Sequence, residues 1–201
     1  MDLENIHTRN IDVENRRIYL HGDSPIKDEE PGVDYRMANM FIKNMDILEN
    51  NNSKDITICM GTVGGEWNYG MSIYDRIKSA KCPTTIIAYA WARSMSSIIL
   101  QAATHRLLMP HCDFMVHYGT ITCEGHYITV KSGMKHDELS EKIMLRIYAE
   151  RCQTGKFFID YKMSVEQIMV FIDQQIKEKG DWWLSSSEAV HYGFADAIVN
   201  F

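Results

Sequence analysis

The strongest constraint on the fold is a series of short apolar runs, each too short for a helix and too uniformly apolar for a strand with a wet face. Thr84–Ala92 (TTIIAYAWA) and Asp55–Met60 (DITICM) are the clearest, joined by Arg17–Gly22 (RIYLHG), His105–Pro110 (HRLLMP) and Asp113–Gly119 (DFMVHYG). Their β-branched and aromatic content and their Gly, Pro or Asn boundaries predict strands. Strands buried on both faces belong to parallel sheets, whose neighbours need a crossover, usually a helix. The intervening segments meet that need. Met37, Met40, Phe41, Met45 and Leu48 recur at helical spacing, as do Ile73, Tyr74 and Ile77 within Met71–Ala80, and Met95–Ala103 reads as a third helix. Alternating strands and helices imply α/β layers with parallel pairing.

Beyond a Gly- and Thr-rich stretch, about His136 to Cys152 is predicted as one long amphipathic helix. Ser164–Gly180 is another, opened by a capping box between Ser164 and Gln167. Ser185–Asp196 predicts a short helix closed near Gly193, followed by the strand AIVNF. Residues 1–16 are polar and expected to be only partly ordered, and Asp23–Tyr35, with Pro25, Pro31, Gly32 and several acids, reads as a loop. No repeats or linkers divide the 201 residues, so the expectation is one domain, 1–201. A chain of this size builds a core without staples. The net charge of −6, with no basic run interleaved with aromatics, argues against nucleic-acid binding. Cys59, Cys82, Cys112, Cys123 and Cys152 form neither a CxxC pair nor a metal-ligand spacing with histidine, as expected of free thiols in a reducing compartment. The first residues lack a signal peptide's apolar stretch and no window suits a membrane span, so the expected location is cytoplasmic.

Ser94 stands where an apolar strand gives way to a helix. It is either an ordinary N-cap or a hydroxyl beside helix N-terminal amides suited to an oxyanion. The surrounding ARSMSS is not a GxSxG elbow, because Ala92 and Ser96 occupy the glycine positions. His117, between Val116 and Tyr118, is a structural histidine or a base of suitable pKa range. Asp181, before Trp182, is a loop or capping carboxylate or an orienting one. Gly64 and Gly65 make a tight turn or let backbone approach a substrate and aim an N–H at it. Neither GxGxxG nor GxxxxGK[ST] is present, which disfavours a dinucleotide or phosphate loop.

From about Arg16 to Val199 the sequence resembles the ClpP family, the proteolytic subunits of ATP-dependent Clp proteases. Four blocks occur in the family's order. GTVGGEWNYGMSIYDRI (61–77) is similar to its glycine-pair segment, and AWARSMSSIILQAATHRLLMP (90–110) to its nucleophile block, with the later Arg106. FMVHYG (114–119) resembles its histidine strand, and DWWLSSSEAVHYGFADAIV (181–199) the segment with the acid and the closing EAxxYGxxD. The resemblance implies Ser94 as nucleophile, His117 as general base, Asp181 as its orienting carboxylate, and backbone N–H groups of Gly64, possibly Gly65, and Met95 as oxyanion donors. It implies a crotonase-like α/β spiral of βαβ units with a protruding handle helix near His136 to Cys152. It also implies a homo-oligomer, two stacked heptameric rings making a tetradecamer around a chamber. Unfolded polypeptides would be the substrates and an AAA+ unfoldase the partner. The subunit would need no cofactor, because ATP is used by that partner.

The chain departs from the family pattern in four places. ARSMSS replaces the usual AASMGA, putting Arg93 beside the nucleophile, where it would bind acidic substrate groups, join a salt bridge or obstruct the cleft. The N-terminal arm is short, the loop at Asp23–Tyr35 is expanded, and Lys156–Met163 is inserted. Arg93, Ser96 and the short arm leave open a non-catalytic or impaired ring subunit or regulator, and the related fold, with its backbone oxyanion holes, leaves open an acyl-CoA enzyme of the crotonase type.

Overall fold

The computed structural model of the chain describes residues 3–22 and 32–200. Of the acidic loop at Asp23–Tyr35, residues 23–31 therefore lie outside the described residues. In chain order the elements are α1 (Leu3–Arg9), β1 (Ile11–Asp12), β2 (Arg17–His21), α2 (Tyr35–Asn51), β3 (Ile56–Thr62), α3 (Trp67–Lys78), β4 (Thr84–Arg93) and α4 (Met95–Leu100). They continue with β5 (His105–Leu108), β6 (Asp113–Val116), α5 (Tyr127–Cys152), α6 (Lys156–Asp160), α7 (Val165–Lys179), β7 (Trp182–Leu184), α8 (Ser186–His191) and β8 (Ala197–Ile198).

The described strands form one sheet in the order β1-β2-β3-β4-β5-β8, with β6 and β7 branching from β4. Strands β2 to β5 and β8 pair in parallel as expected, while β1–β2 and β6–β7 are antiparallel. Burial in β2, β4 and β5 alternates instead of covering both faces, because one face of the sheet is incompletely covered. Helices α2, α3 and α4 are the crossovers. Ala38, Phe41, Met45 and Leu48 of α2 form the buried stripe that its periodicity predicts. Asp34 caps that helix, its side chain accepting from the amides of Arg36 and Met37 at 2.9 Å.

The branch in β4 fixes the architecture. Its first half, Thr85–Ala88, pairs with His105–Leu108 of β5; its second half, Trp91–Arg93, pairs with Asp113–Met115 of β6. One strand thus feeds two neighbours on the same side, and the sheet opens into the spiral of βαβ units.

Several elements differ from the sequence expectation. The long helix begins at Tyr127, nine residues before His136. Tyr127, Ile128 and Met134 on its first half are exposed, so no buried stripe marks that half in the sequence. The N-terminal arm contains α1 and the edge strand β1. The inserted segment folds as α6, whose Phe157 and Phe158 join Phe171, Trp182 and Tyr192 in an aromatic cluster behind β7. The capping box at Ser164 and Gln167 is present, and Ser185 with Glu188 forms a second one. Among the described residues no helix is long and apolar enough to cross a membrane.

Arg106, 1% exposed, ties the last crossover to the C-terminal segment. Its guanidinium donates to Gln101 Oε1 (2.7 Å), the Gly193 carbonyl (2.8 Å) and the Asp196 carboxylate. Gln101 in turn donates to the carbonyls of Ser97 and Phe194 at 2.9 and 3.1 Å. Burial works to raise the Asp196 pKa, but the hydrogen bonds and charge of Arg106 outweigh it and hold the carboxyl below its ordinary value of 3.8. A depressed carboxylate stabilises the fold above its unfolded pKa, and that contribution disappears as pH falls through the folded value. Asp196→Asn is therefore expected to cost at least about 2 kcal/mol at neutral pH, less than the roughly 3–5 kcal/mol for breaking a fully buried pair, because the Asp196 side chain is 36% exposed. Urea midpoints for wild type and variant should converge as pH is lowered below 3.8; a gap that persists would contradict this account.

Candidate active site

The strand pairing that branches from β4 also determines which side chains meet. Arg93 is in register with Met115, and Val116 with Trp182. Ser94, His117 and Asp181 each lie one residue beyond those partners, so three chain segments deliver them to one place. His117 Nε2 lies 2.8 Å from Ser94 Oγ, and His117 Nδ1 lies 3.1 Å from Asp181 Oδ1. Both are ordinary hydrogen-bond distances. The three residues singled out in the sequence therefore form one hydrogen-bonded chain.

Ser94 is at the N-cap position of α4, yet its side chain makes no capping hydrogen bond. The hydroxyl is committed to His117 instead. Its backbone has φ 52° and ψ −126°, a conformation that costs a non-glycine residue on the order of 1–3 kcal/mol. This strained strand-to-helix turn is reached without the glycines of a GxSxG elbow. Surrounding contacts hold it. Ser94 N–H donates to the Met115 carbonyl at 3.0 Å. Ser96, buried, accepts from Arg93 N–H at 2.8 Å and shares its own proton between the carbonyls of Thr62 (2.6 Å) and Arg93 (2.7 Å). Ser97 Oγ binds the Ser94 carbonyl and the Tyr148 hydroxyl, both at 2.6 Å. The bracing roles of Ser96, Ser97 and Tyr148 are not among the sequence expectations, although serines inside an otherwise apolar helix are a signal that could have found them.

The glycine pair is packed closely against the chain's own backbone. A Cβ on Gly64, whose φ is +101°, would lie 2.7 Å from Ser94 Cβ and 2.9 Å from Met95 N. A Cβ on Gly65, with φ +149°, would lie 2.3 Å from Val33 N. The missing side chains admit the chain's own backbone, on one side the serine turn and on the other Val33. Val33 N–H donates to the Gly64 carbonyl (2.6 Å) and Glu66 N–H to the Val33 carbonyl (2.9 Å). In such a parallel bridge the amide of the central residue, Gly65, faces away from Val33. The Gly64 amide makes a long contact, 3.4 Å, to Thr62 Oγ1. Of the three residues considered from sequence, Gly65 and Met95 line the cavity beside Ser94, whereas Gly64 is not among its lining residues and is a close-packed spacer.

That cavity, about 700 Å³, is bounded by Ser94, His117, Met95 and Ile98 on one side. Opposite them, His136, Asp137, Ser140, Glu141 and Met144 of α5 make a wall. Asp34 and Glu66 add carboxylates, and no lysine or arginine lines it among the described residues. Burial, then the charges of Glu138, Asp137 and Asp173, push the Glu141 pKa up against the opposing pull of Lys177. Tyr118, next to His117, donates its hydroxyl to Asp173 of α7, which also accepts from Lys177 Nζ at 2.8 Å. This fastens the segment that follows β6.

Arg93 is not among the lining residues. It pairs with Asp113 at 2.6 Å and lies between the rings of Trp91 and Trp183. Of the three roles open to it in the sequence, the structure shows the salt bridge. Four of the five thiols, Cys59, Cys82, Cys112 and Cys152, are buried, and desolvation raises Cys112 to about 12, which leaves them unreactive; Cys123 is exposed and is not among the residues lining the cavity. Among the described residues no three His, Cys, Asp or Glu side chains converge as metal ligands would.

Gly64→Ala is expected to fold yet lose on the order of 100-fold in reactivity toward a serine-directed phosphonate, since its Cβ has no room beside Ser94. Undiminished labelling of that variant would refute the close-packing role.

Comparison with known proteins agrees in fold and sequence. The Clp protease family model matches residues 26–201. The chain is 31% identical over 151 residues to an ATP-dependent Clp protease proteolytic subunit 2 from Mycolicibacterium paratuberculosis, covering 73% of this chain and 67% of that one. It is 30% identical, with the same coverage, to an ATP-dependent Clp protease proteolytic subunit 1 from Mycobacterium tuberculosis. A solved structure of a ClpP1 mutant from Listeria monocytogenes superposes with a TM-score of 0.71 over 94% of both chains at 24% identity, a likeness of fold.

Proposed function

The chain belongs to the Clp protease family, and from that premise we propose that it is a serine endopeptidase subunit that hydrolyses peptide bonds of unfolded polypeptides through Ser94, His117 and Asp181. The observation that carries this reading is the continuous hydrogen-bonded chain, 2.8 Å from Ser94 Oγ to His117 Nε2 and 3.1 Å from His117 Nδ1 to Asp181 Oδ1. Ser94 Oγ attacks the scissile carbonyl while His117 Nε2 takes its proton. Asp181 holds the imidazole in the tautomer with Nδ1–H and stabilises the imidazolium. The oxyanion that forms is met by the Gly65 and Met95 amides. His117 then returns the proton to the leaving amine, and water repeats the sequence on the acyl-enzyme.

Assembly into two stacked rings is part of the proposal. What supports it is the apolar surface along α5, where Tyr127, Ile128, Met134 and Leu139 are all more than half exposed, a pattern that marks a surface awaiting a partner. Delivery of substrate by an AAA+ unfoldase rests on the family alone. The acyl-CoA alternative is opposed by the carboxylate-lined cavity, which repels a polyanionic nucleotide tail.

A fluorophosphonate probe should label the wild-type chain, and Ser94→Ala should lose both the label and on the order of 10⁴-fold or more of peptide hydrolysis. Equal labelling of the two would end the assignment. The cavity's charge adds an order of preference: a peptide with lysine beside the scissile bond should be cut faster than its glutamate counterpart, with the difference shrinking in high salt. The reverse order would mean that the carboxylates do not face the substrate.

A further inference from the structure

We propose that Arg93 is a positioning residue for the triad, clamping together the three strands that deliver Ser94, His117 and Asp181; this rests on the serine-peptidase reading. Arg93 ends β4 and directly precedes Ser94. Its Nη2 reaches Asp113 Oδ2 at 2.6 Å, at the start of β6, the strand that runs on to His117. Its guanidinium carbon stands 4.7 Å from the ring centroid of Trp183 in β7, two residues after Asp181, and 4.8 Å from that of Trp91. Each contact therefore leads to the strand of a different triad member.

The register explains why these groups meet. Arg93 is opposite Met115, Met115 is opposite Trp183, and Trp91 is opposite Asp113. Side chains two apart on a strand share a face, so Trp91, Arg93, Asp113 and Trp183 occupy one patch of the branched sheet. Strands β6 and β7 are only four and three residues long, and few ladder hydrogen bonds hold them. A planar cation between two indoles, with a carboxylate at its edge, supplies lateral fixation that so short a ladder lacks. Arg93 Nε is buried with no hydrogen-bond partner. That orphaned group is accounted for if the guanidinium is held by the ring faces rather than by a full set of acceptors. Arg93 touches neither the cavity nor the reacting atoms, so its effect acts through alignment.

The test is steady-state peptide hydrolysis by the full chain, read together with the Nδ1 proton resonance of His117. Arg93→Met should lower kcat by about tenfold or more with KM unchanged within about twofold, and the Nδ1 resonance should broaden or vanish. Arg93→Lys, which keeps the charge and loses the planar stack, should recover part of the loss. Trp183→Phe should stay near wild type in both readouts, and Trp183→Ala should behave like Arg93→Met. The pair of Trp183 variants decides the question should Arg93→Met fail to fold. The proposal is overturned if kcat and the resonance are unchanged in Arg93→Met and Trp183→Ala, if only KM moves, or if kcat rises. Loss of Ser94-dependent labelling in the wild type would instead remove the peptidase reading, and the resonance would still judge the clamp.

Discussion

Strand β4 changes partners halfway along its length, and most of the molecule follows from that change. A strand has one hydrogen-bonding edge on each side, so it can serve two neighbours on the same side only in succession. β5 takes the first half and β6 the second. The parallel stack with its crossovers is built on the first, and the triad on the second. Because β6 then pairs antiparallel with β7, a short segment from near the C-terminus is brought beside one from the middle of the chain. Residues 94, 117 and 181 meet through two registers of backbone hydrogen bonds, before any side chain has made a contact.

The strands were legible in the sequence as short, largely apolar runs. Their burial was less uniform than expected: in Thr84–Ala92 buried residues alternate with half-buried ones and Tyr89 and Ala90 are exposed, because one face of that strand is incompletely covered. The triad was legible only in part. Each of Ser94, His117 and Asp181 has a bland reading of its own, and no periodicity says that three segments so far apart in sequence converge; the family resemblance supplied that link. Elements without an apolar stripe escaped notice, as with the first half of α5, whose apolar residues face outward. So did very short ones such as β7, which is specified by its partner strand rather than by its own three residues. The close packing of the glycine pair against Ser94 and Val33 was not legible, because sequence shows where a Cβ is missing but not what fills the space.

The turn at Ser94 shows how local strain is maintained. Ser94 holds a backbone conformation unfavourable for its residue type, in a segment with no glycine to relieve it. The compensation comes from the neighbouring serines. Ser96 and Ser97 spend their hydroxyls on backbone carbonyls within and beside the turn, so no buried oxygen is left unsatisfied and the turn has little freedom to relax. Where the family pattern has a small residue after the Ser-Met pair, Ser96 provides a hydrogen-bonded brace in similar space. The substitution is thus compatible with a formed site.

Helix α5 runs for 26 residues, about 39 Å at 1.5 Å per residue. Its C-terminal turns are seated in the core, and there Tyr148 reaches Ser97 and, through it, the Ser94 carbonyl. Its middle walls the cavity, and its far end stands in solvent. The exposed arm, the cavity wall and the seat beside the serine turn are thus three stretches of a single continuous rod.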